Sequence, residues 1–309
     1  MLDFLTKEKV HTGFGVDISE ARTMEDALEI GGLNWTVQPT PAYHYSAQRG
    51  LAEVPNTFVN TRVEDGKALG VVSGKYRICQ NREAFDFLDN LLEDGSLHLL
   101  RAGSFRGGRS VWIQGQIDGD EEVLGEQVGK YILFTNTHDG TGSIRALFTP
   151  KRLICSNAIN IAIRTAQRSW SCTHTGKLDE KLLVARQTLL MSEKYMQALK
   201  SEAQTLSNIT ISYVDVEGLL EQLVPEGESD RSKELARQVR QRIREVYNLK
   251  PDLQTLPNNG YRFLNAVSDY ATHAEPFRNA STYDERLFEQ TAKGHPMLDR
   301  AYSLVKELA

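Results

Sequence analysis

Positive charge without balancing acids marks one stretch of the sequence, residues 140–177. The stretch contains no Asp or Glu, although the chain of 309 residues has a formal net charge of -5 at pH 7. Arginine and lysine side chains neutralise phosphates and release the counterions condensed around a polyanion. We therefore expect an anionic partner here, and the positive residues are Arg145, Lys151, Arg152, Arg164, Arg168 and Lys177.

Amide side chains accompany the charge in the second half of this stretch. We predict a short strand over residues 152–155 and a helix capped at Ser156; one helix that begins after Thr149 is the alternative. In both cases polar residues recur at spacings of three and four on one helix face, where amides could add hydrogen bonds to phosphates or bases. That face consists of Asn157, Asn160, Arg164 and Arg168.

Two further features could contact the same partner. Trp112 and Trp170 lie close in sequence to the basic stretch, and open aromatic faces stack on the bases of single strands. The run Arg106-Gly107-Gly108-Arg109 fits a cationic loop that clamps a nucleic-acid backbone, and fits equally well a glycine-rich hairpin turn with solvated arginines. The basic stretch also has a structural interpretation, in which its arginines pair with acids elsewhere and Trp170 belongs to the core.

The sequence does not indicate a catalytic centre. His138 and Asp139 are adjacent in a polar turn, so their side chains point in different directions, and no nucleophile is near in sequence. We interpret them as part of a hairpin turn and predict no catalytic residue. The protein is therefore expected not to be an enzyme.

Metal and nucleotide sites are not indicated either. Cys155, Cys172 and His174 lack the paired, four-ligand spacing of structural zinc sites. Residues 70–76 resemble a phosphate-binding loop, but the run is one residue short and carries Tyr76 where a magnesium-binding hydroxyl is needed. We expect no metal and no cofactor.

Length and composition indicate a globular protein. Hydrophobic residues make up 40% of the chain and charged residues 25%, which is enough apolar material for a sizeable core. No apolar run reaches the length of a membrane span and no signal-peptide pattern is present, so a cytoplasmic location is expected. An odd number of cysteines without a CxxC motif indicates reduced thiols.

The first half of the chain predicts mainly strands. A helix through Ala27 and Leu28, capped by Asp17 or Ser19, precedes a strand at Trp35 and Val37 that Pro39 and Pro41 should stop. Residues 58–63 and 68–72 predict a hairpin around Asp65-Gly66. A helix capped at Asn81 and a β-meander over residues 97–149 follow.

The second half predicts mainly helices. The first covers residues 178–206, and the second is capped at Asp215. An amphipathic helix follows over residues 231–247, with Leu235 inward and its arginines mostly outward. Shorter helices are predicted over residues 258–273 and 284–308. The predicted fold is α+β, an antiparallel β-meander with a packed helix, a β-β-β-α core, and a mostly helical C-terminal region. The expected domains are residues 1–177 and 178–309.

Five blocks resemble a known family. They are LGVVSGKYRICQNREAFDFLD (69–89), GGRSVWIQGQI (107–117), YILFTNTHDG together with RLICSNAINIAI (131–163), a His-Thr pair before a long helix, and GYRFLNAVSDYATH (260–273). Their order is similar to that of the phage/plasmid-like protein family known as domain of unknown function 932. The resemblance covers about residues 35–275 and implies a setting in bacteriophages and mobile elements, without an established activity.

The predicted β-β-β-α core also resembles, in architecture and composition, the phage single-strand annealing proteins. That resemblance implies an oligomeric ring or helical filament that binds single-stranded DNA and pairs complementary strands without ATP. The leading hypothesis is such a recombination protein, with the basic, amide and tryptophan residues named above as its DNA-binding site. One alternative is a protein-binding modulator of host replication or defence. A metal-dependent nucleic-acid hydrolase is less favoured because the basic stretch lacks carboxylates.

Overall fold

The computed structural model describes residues 15–149, 169–174, 191–273 and 295–309. Strands dominate the first half and helices the second. The strands are β1 (Val16–Asp17), β2 (Val37–Ser46), β3 (Gly50–Arg62), β4 (Ala68–Ser73), β5 (Leu97–Phe105), β6 (Ser110–Val123), β7 (Glu126–Thr137), β8 (Ile144–Thr149) and β9 (Ser169–Cys172). The helices are α1 (Met24–Ile30), α2 (Asn81–Phe85), α3 (Asp89–Glu93), α4 (Met191–Ser207), α5 (Tyr213–Leu223), α6 (Asp230–Leu249), α7 (Pro251–Gln254), α8 (Gly260–His273) and α9 (Pro296–Lys306).

The strands form two antiparallel sheets. The larger has the order β1-β5-β6-β7-β8-β9, and the smaller has the order β2-β3-β4. Neighbouring strands of the larger sheet from β5 to β8 are also neighbours in sequence, so the predicted meander is confirmed. The predicted hairpin around Asp65-Gly66 is the β3–β4 pair, and the α+β class with a helical C-terminal region is confirmed as well.

One face of the larger sheet packs on the helices. Phe134 and Phe148 from the sheet share a contiguous hydrophobic cluster with Phe85 of α2, Phe263 of α8 and Val305 of α9. Core residues from both predicted domains thus lie in one cluster, while the predicted boundary itself lies outside the described residues. Within the described parts of the chain, no helix is both long and apolar enough to cross a membrane.

Strand β2 corrects one prediction. It runs through Pro39 and Pro41, which were expected to end it, and pairs with β3 across both positions. Proline removes a backbone donor, but β2 is an edge strand of its sheet, so the missing N–H faces no partner strand. The strand was therefore predicted correctly at Val37, but Trp35 precedes it and the predicted end was wrong.

Three helix starts differ from the prediction. Helix α1 is capped by Thr23, whose side chain accepts from Asp26 N, and not by Asp17 or Ser19. Helix α2 has Gln80 at its N-cap, one residue before Asn81. Helix α5 is capped by Ser212, and Asp215 instead reaches back to the Ser212 N–H. In α1 and α5 the acid lies three residues after a hydroxyl cap, which is a capping box.

Helix α6 carries the predicted amphipathic pattern with one error. Val239, Ile243 and Val246 are buried as expected, but Leu235 is 44% exposed. Ala236 takes the inward position instead. The buried face of the helix is therefore rotated slightly from the face that the sequence pattern predicted, so that Ala236 replaces Leu235 in it.

Candidate nucleic-acid interface

The turn between β5 and β6 displays two arginines at one end of the larger sheet. Arg106, Gly107 and Gly108 adopt consecutive left-handed conformations with φ of 51°, 67° and 100°. Glycine tolerates this conformation without strain, so the chain reverses within four residues. The side chains of Arg106 and Arg109 are exposed. The hairpin interpretation of this run is therefore confirmed, while its nucleic-acid role stays a prediction.

The turn rests on the smaller sheet and its connections. A Cβ built on Gly108 would lie 3.2 Å from both the Trp35 ring and Arg62 Nη1, and one built on Gly107 would collide with Lys67 Nζ. The Arg62 guanidinium lies 5.3 Å from the centre of the Trp35 ring. Only glycine leaves room for this packing, which holds the turn in place.

The charge of Arg62 is neutralised by a neighbouring carboxylate. Its Nε donates to Asp65 Oδ1 at 2.8 Å and its Nη2 pairs with Asp65 Oδ2. The Arg62 hydrogen bond lowers the pKa of Asp65 to about 2. Arg62 therefore orders the Trp35 surface under the turn and leaves little positive charge for a ligand.

Two further cations, Lys67 and Arg109, lie at this end of the sheet. The side chains of Lys67 and Arg109 are exposed, and neither forms an ion pair within residues 15–149 or the other described ranges. Arg145 lies near the same end. It pairs with Thr135 of β7, and Thr137, two residues further along β7, pairs with Ser110 of β6. We call Lys67, Arg106, Arg109 and Arg145 the basic end.

The far end of β6 carries the opposite charge. The last part of β6 contains four carboxylates, Asp118, Asp120, Glu121 and Glu122. Of these, Glu121 pairs with Lys200 of α4 at 2.5 Å. We call these four carboxylates the acidic end. Arg109 and Asp118 are nine positions apart, which corresponds to about 30 Å of extended strand. The two charges are thus segregated along one sheet.

The outer face of the larger sheet holds Arg145 and Trp112. Trp112, Thr135 and Arg145 occupy one row across β6, β7 and β8, since residues directly opposite one another share a face. Arg145 is half-buried, and its Nε donates to Ser143 Oγ at 3.0 Å. Its guanidinium is thereby held at the edge of the row.

Trp112 does not offer the exposed stacking surface that the sequence predicted. Its side chain is 1% exposed and lies over Gly103, where a Cβ would sit 2.9 Å from the indole ring. Phe105 stacks against it at 6.1 Å between ring centroids. Two glycines, Gly15 and Gly103, leave room for the indole ring to lie close against the backbone, where it is buried.

Most of the other predicted contacts lie outside the described residues. This applies to the predicted cations and amides that follow β8 in the basic stretch, and to the side chain of Trp170, whose backbone belongs to β9. The residues concerned are Lys151, Arg152, Asn157, Asn160, Arg164 and Arg168. Their assignment to a nucleic-acid site stays a prediction.

The basic end is anchored on a buried histidine. His138 follows β7, is fully buried, and donates its backbone N–H to Arg109 O at 2.8 Å. Its ring Nε2 lies 2.8 Å from Asn81 Oδ1. Because an amide oxygen only accepts, Nε2 carries a proton. Burial, with a smaller effect of nearby His174, lowers the pKa of His138 to about 3.

Amide and hydroxyl groups extend this anchor to both sheets. Asn60 of β3 donates to His138 O at 2.7 Å, and Asn136 of β7 donates to Cys79 O at 2.9 Å. The Tyr76 hydroxyl donates to Thr137 O at 2.7 Å. We call these residues, with Asn81 and His138, the buried polar cluster. It joins the smaller sheet, helix α2 and β7, and no sequence pattern indicated it.

Asp139 uses its carboxylate within its own turn. The Asp139 carboxylate accepts from Thr141 N at 2.9 Å and from Thr141 Oγ1 at 2.8 Å. A Cβ on Gly70 would collide with the Asp139 backbone, so the turn is packed directly on β4. The turn interpretation is thus confirmed. Among the described residues, no group of three or more His, Cys, Asp or Glu side chains could hold a metal ion.

Comparison with known proteins identifies the family. The model described as "Domain of unknown function (DUF932)" matches residues 68–292, which is most of the chain. The chain belongs to the DUF932 family. Neither the curated proteins nor the solved structures yield a match. The DUF932 range includes β4 to β9 and most of the buried polar cluster, whereas β2 and β3 precede it.

Proposed function

We propose that this protein binds single-stranded DNA and anneals complementary strands without ATP, in the bacterial cytoplasm and in the setting of phages and other mobile elements. The observation that carries the proposal is the segregation of charge along β6. Lys67, Arg106, Arg109 and Arg145 gather at one end of the sheet, and four carboxylates lie at the other. A polyanion is attracted to the first end and repelled from the second.

The sequence after β8 supports the same partner. Lys151, Arg152, Arg164 and Arg168 follow β8 without an intervening acid, and β8 begins beside Arg145 at the basic end. Together these cations offer a polyanion more contacts than the β5–β6 turn alone. In the proposed role Asn157 and Asn160 add neutral hydrogen bonds to the strand, and Trp170 remains the stacking candidate after the burial of Trp112.

Fluorescence anisotropy with labelled oligonucleotides tests the proposal. We expect length-dependent binding to single strands that weakens linearly on a logarithmic salt scale. Arg164→Ala combined with Arg168→Ala should weaken binding, whereas Arg231→Ala combined with Arg237→Ala on the exposed side of α6 should not. A strand-annealing assay with complementary oligonucleotides then separates annealing from simple binding.

Two results would reject the proposal. The first is a wild-type chain that shows no affinity for single-stranded DNA at low salt. The second is equal weakening by both double variants, which would mean that only the total charge matters. Recovery of one stoichiometric host protein in a nuclease-treated pull-down would instead favour the alternative of a protein-binding modulator.

A further inference from the structure

The hairpin of β2 and β3 extends beyond the rest of its sheet. Strand β4 pairs with residues 57–61 of β3, and among the described residues the outer part of β3 has β2 as its only partner strand. At the junction Asn56 has a left-handed φ of 52°, and the β2–β3 register shifts between Pro41 and Tyr43. These irregularities separate residues 43–53 from the sheet as a two-stranded segment, which we call the distal arm.

The distal arm exposes a large apolar surface. Tyr43, Tyr45 and Leu51 share one face, because Tyr45 pairs with Leu51 and Tyr43 pairs with Glu53. Their exposed fractions are 55%, 75% and 70%. An isolated two-stranded hairpin is marginally stable in water, so this arm gains from a partner that covers it.

The charge of the arm indicates the kind of partner. Arg49 and Glu53 are its only Lys, Arg, Asp or Glu residues, so it is neutral in a chain with a formal net charge of -5. A neutral ribbon does not attract a polyanion. Exposed tyrosines with few charges are instead typical of the centre of protein interfaces.

A second copy of the chain fits this surface by charge. Arg49 lies at the turn of the arm, and Glu53 lies at the opposite end of the apolar face, across from Tyr43. When two arms pack face to face in opposite directions, Arg49 of each copy meets Glu53 of the other while the tyrosines meet between them. The closed two-fold contact that results is the commonest kind in homo-oligomers.

The size of the arm fits a contact of modest affinity. The three apolar side chains expose roughly 400 Å² per copy, about half of the ~800 Å² that each partner contributes to a standard interface. The polar residues around them, including His44 and Gln48, would form the rim. Association should therefore depend on protein concentration in the micromolar range.

We propose that the distal arm binds the distal arm of a second copy, through Tyr43, Tyr45 and Leu51 at the centre and reciprocal Arg49–Glu53 pairs at the ends. This inference gives the chain a contact surface for self-association, and it does not depend on DNA binding. The arm precedes residue 68, where the DUF932 match begins.

Charge exchange tests the arrangement. Sedimentation velocity on the nuclease-treated full-length chain should show concentration-dependent association. Arg49→Glu alone and Glu53→Arg alone should each weaken it at least tenfold, because each places two like-charged pairs in the contact. An equimolar mixture of the two variants should restore association, since both pairs are then complementary again.

The apolar centre has its own variant and control. Tyr45→Ser should reduce association, whereas Tyr213→Ser, which removes a tyrosine that is 65% exposed on α5, should not. Far-UV circular dichroism and thermal unfolding check that each variant is folded. If a Tyr45 variant does not fold, Tyr45→Cys under oxidising conditions provides a second route, with a disulfide-linked dimer expected and Val214→Cys as its control.

Several outcomes would overturn the proposal. A wild-type chain that is monomeric at every concentration would do so, as would mixed charge variants that stay monomeric. Loss of oligonucleotide binding by Tyr45→Ser in a monomeric wild-type background would identify the arm as a nucleic-acid contact instead. Failure of DNA binding with intact association leaves this inference standing and rejects only the proposed function.

Discussion

Two sets of arginines in this molecule have opposite surroundings. On α6, Arg244 makes a bidentate pair with Glu217 at 2.6 and 2.5 Å, and Arg240 donates to Val224 O at 2.8 Å. At the basic end, Arg109 forms no ion pair with any part of the chain that the structure describes. Arg244 and Arg240 use their charge inside the fold, whereas Arg109 keeps its side chain exposed to solvent. Residue type alone does not distinguish them.

The difference follows from the neighbouring carboxylates. Glu217, Glu226 and Glu234 come from α5, from the connection before α6 and from α6 itself, so they face the α6 arginines once the helices pack. The acids of β6 cannot reach Arg109, because an extended strand separates them by about 30 Å. Compact helical packing neutralises charge locally, whereas a long strand keeps opposite charges apart.

The largest expected difference between the two sets of arginines is in their effect on the affinity for single-stranded DNA. Arg106→Ala combined with Arg109→Ala should lower the affinity for single-stranded DNA on the order of a hundredfold, as two charge-assisted contacts are lost. The slope of log affinity against log salt should fall by about 1.4 in magnitude. The anisotropy titration is repeated at several salt concentrations, and Arg231→Ala with Arg237→Ala is the control. Equal losses of DNA affinity in both double variants would mean that the arginines of the basic end and those of α6 do not differ in DNA binding.

The next effect concerns the histidine under the β5–β6 turn. The pKa of His138 is lowered from 6.5 to about 3, so between these values the unfolded chain takes up a proton that the folded chain does not. Stability is therefore present above pH 6.5 and is lost as the pH falls. Between pH 7 and pH 5 the free energy of unfolding should drop by about 2 kcal/mol from this group.

Urea unfolding at both pH values measures that drop. His138→Gln should show a shallower pH dependence than the wild type, and His98→Gln, a change at an exposed histidine on β5, should retain the full dependence. An unchanged slope in His138→Gln would mean that the ring is not held neutral.

A smaller effect is expected on α6. Arg244→Ala should lower the free energy of unfolding by about 1 kcal/mol, since it leaves a partly buried Glu217 without its bidentate partner. DNA binding should be unchanged. Arg244→Lys should fall between wild type and Arg244→Ala in chemical denaturation, because lysine keeps the charge but not the two parallel hydrogen bonds. A Lys variant no better than Ala would argue against an electrostatic role.

The smallest effect is predicted for Arg237. Its guanidinium lies 3.7 Å from both Glu226 and Glu234, and its side chain is 63% exposed. Solvent screens such pairs, so Arg237→Ala should change stability by less than about 0.5 kcal/mol. Thermal unfolding and the binding titration should both match the wild type. A larger loss would place Arg237 with Arg244 as a structural arginine.

Much of the fold could be predicted because local signals agree with it. Asp65-Gly66 indicates a hairpin, and the run from Tyr131 to Thr135, apolar on both faces, indicates a central strand. The errors arise where tertiary context decides. Pro39 and Pro41 end a central strand but not an edge strand, and a sequence does not say which strand lies at the edge.

The candidate site was less accessible to sequence reasoning. The arginines of the β5–β6 turn could be named, because two glycines between them require a tight turn. The burial of Trp112 depends on glycines in β5 and at residue 15, and the buried polar cluster joins residues as distant as Asn60 and His138. Such contacts arise only when separate strands meet, so composition and periodicity carry no trace of them.

The segregation of charge along β6 also has a consequence for kinetics. Opposite charges about 30 Å apart give the protein a permanent electric dipole along one sheet. In the field of a nucleic acid such a dipole experiences a torque, which rotates the β5–β6 turn toward the strand before contact. The shape of the sheet would then shorten the rotational search during encounter, and added salt would slow association more than it speeds release.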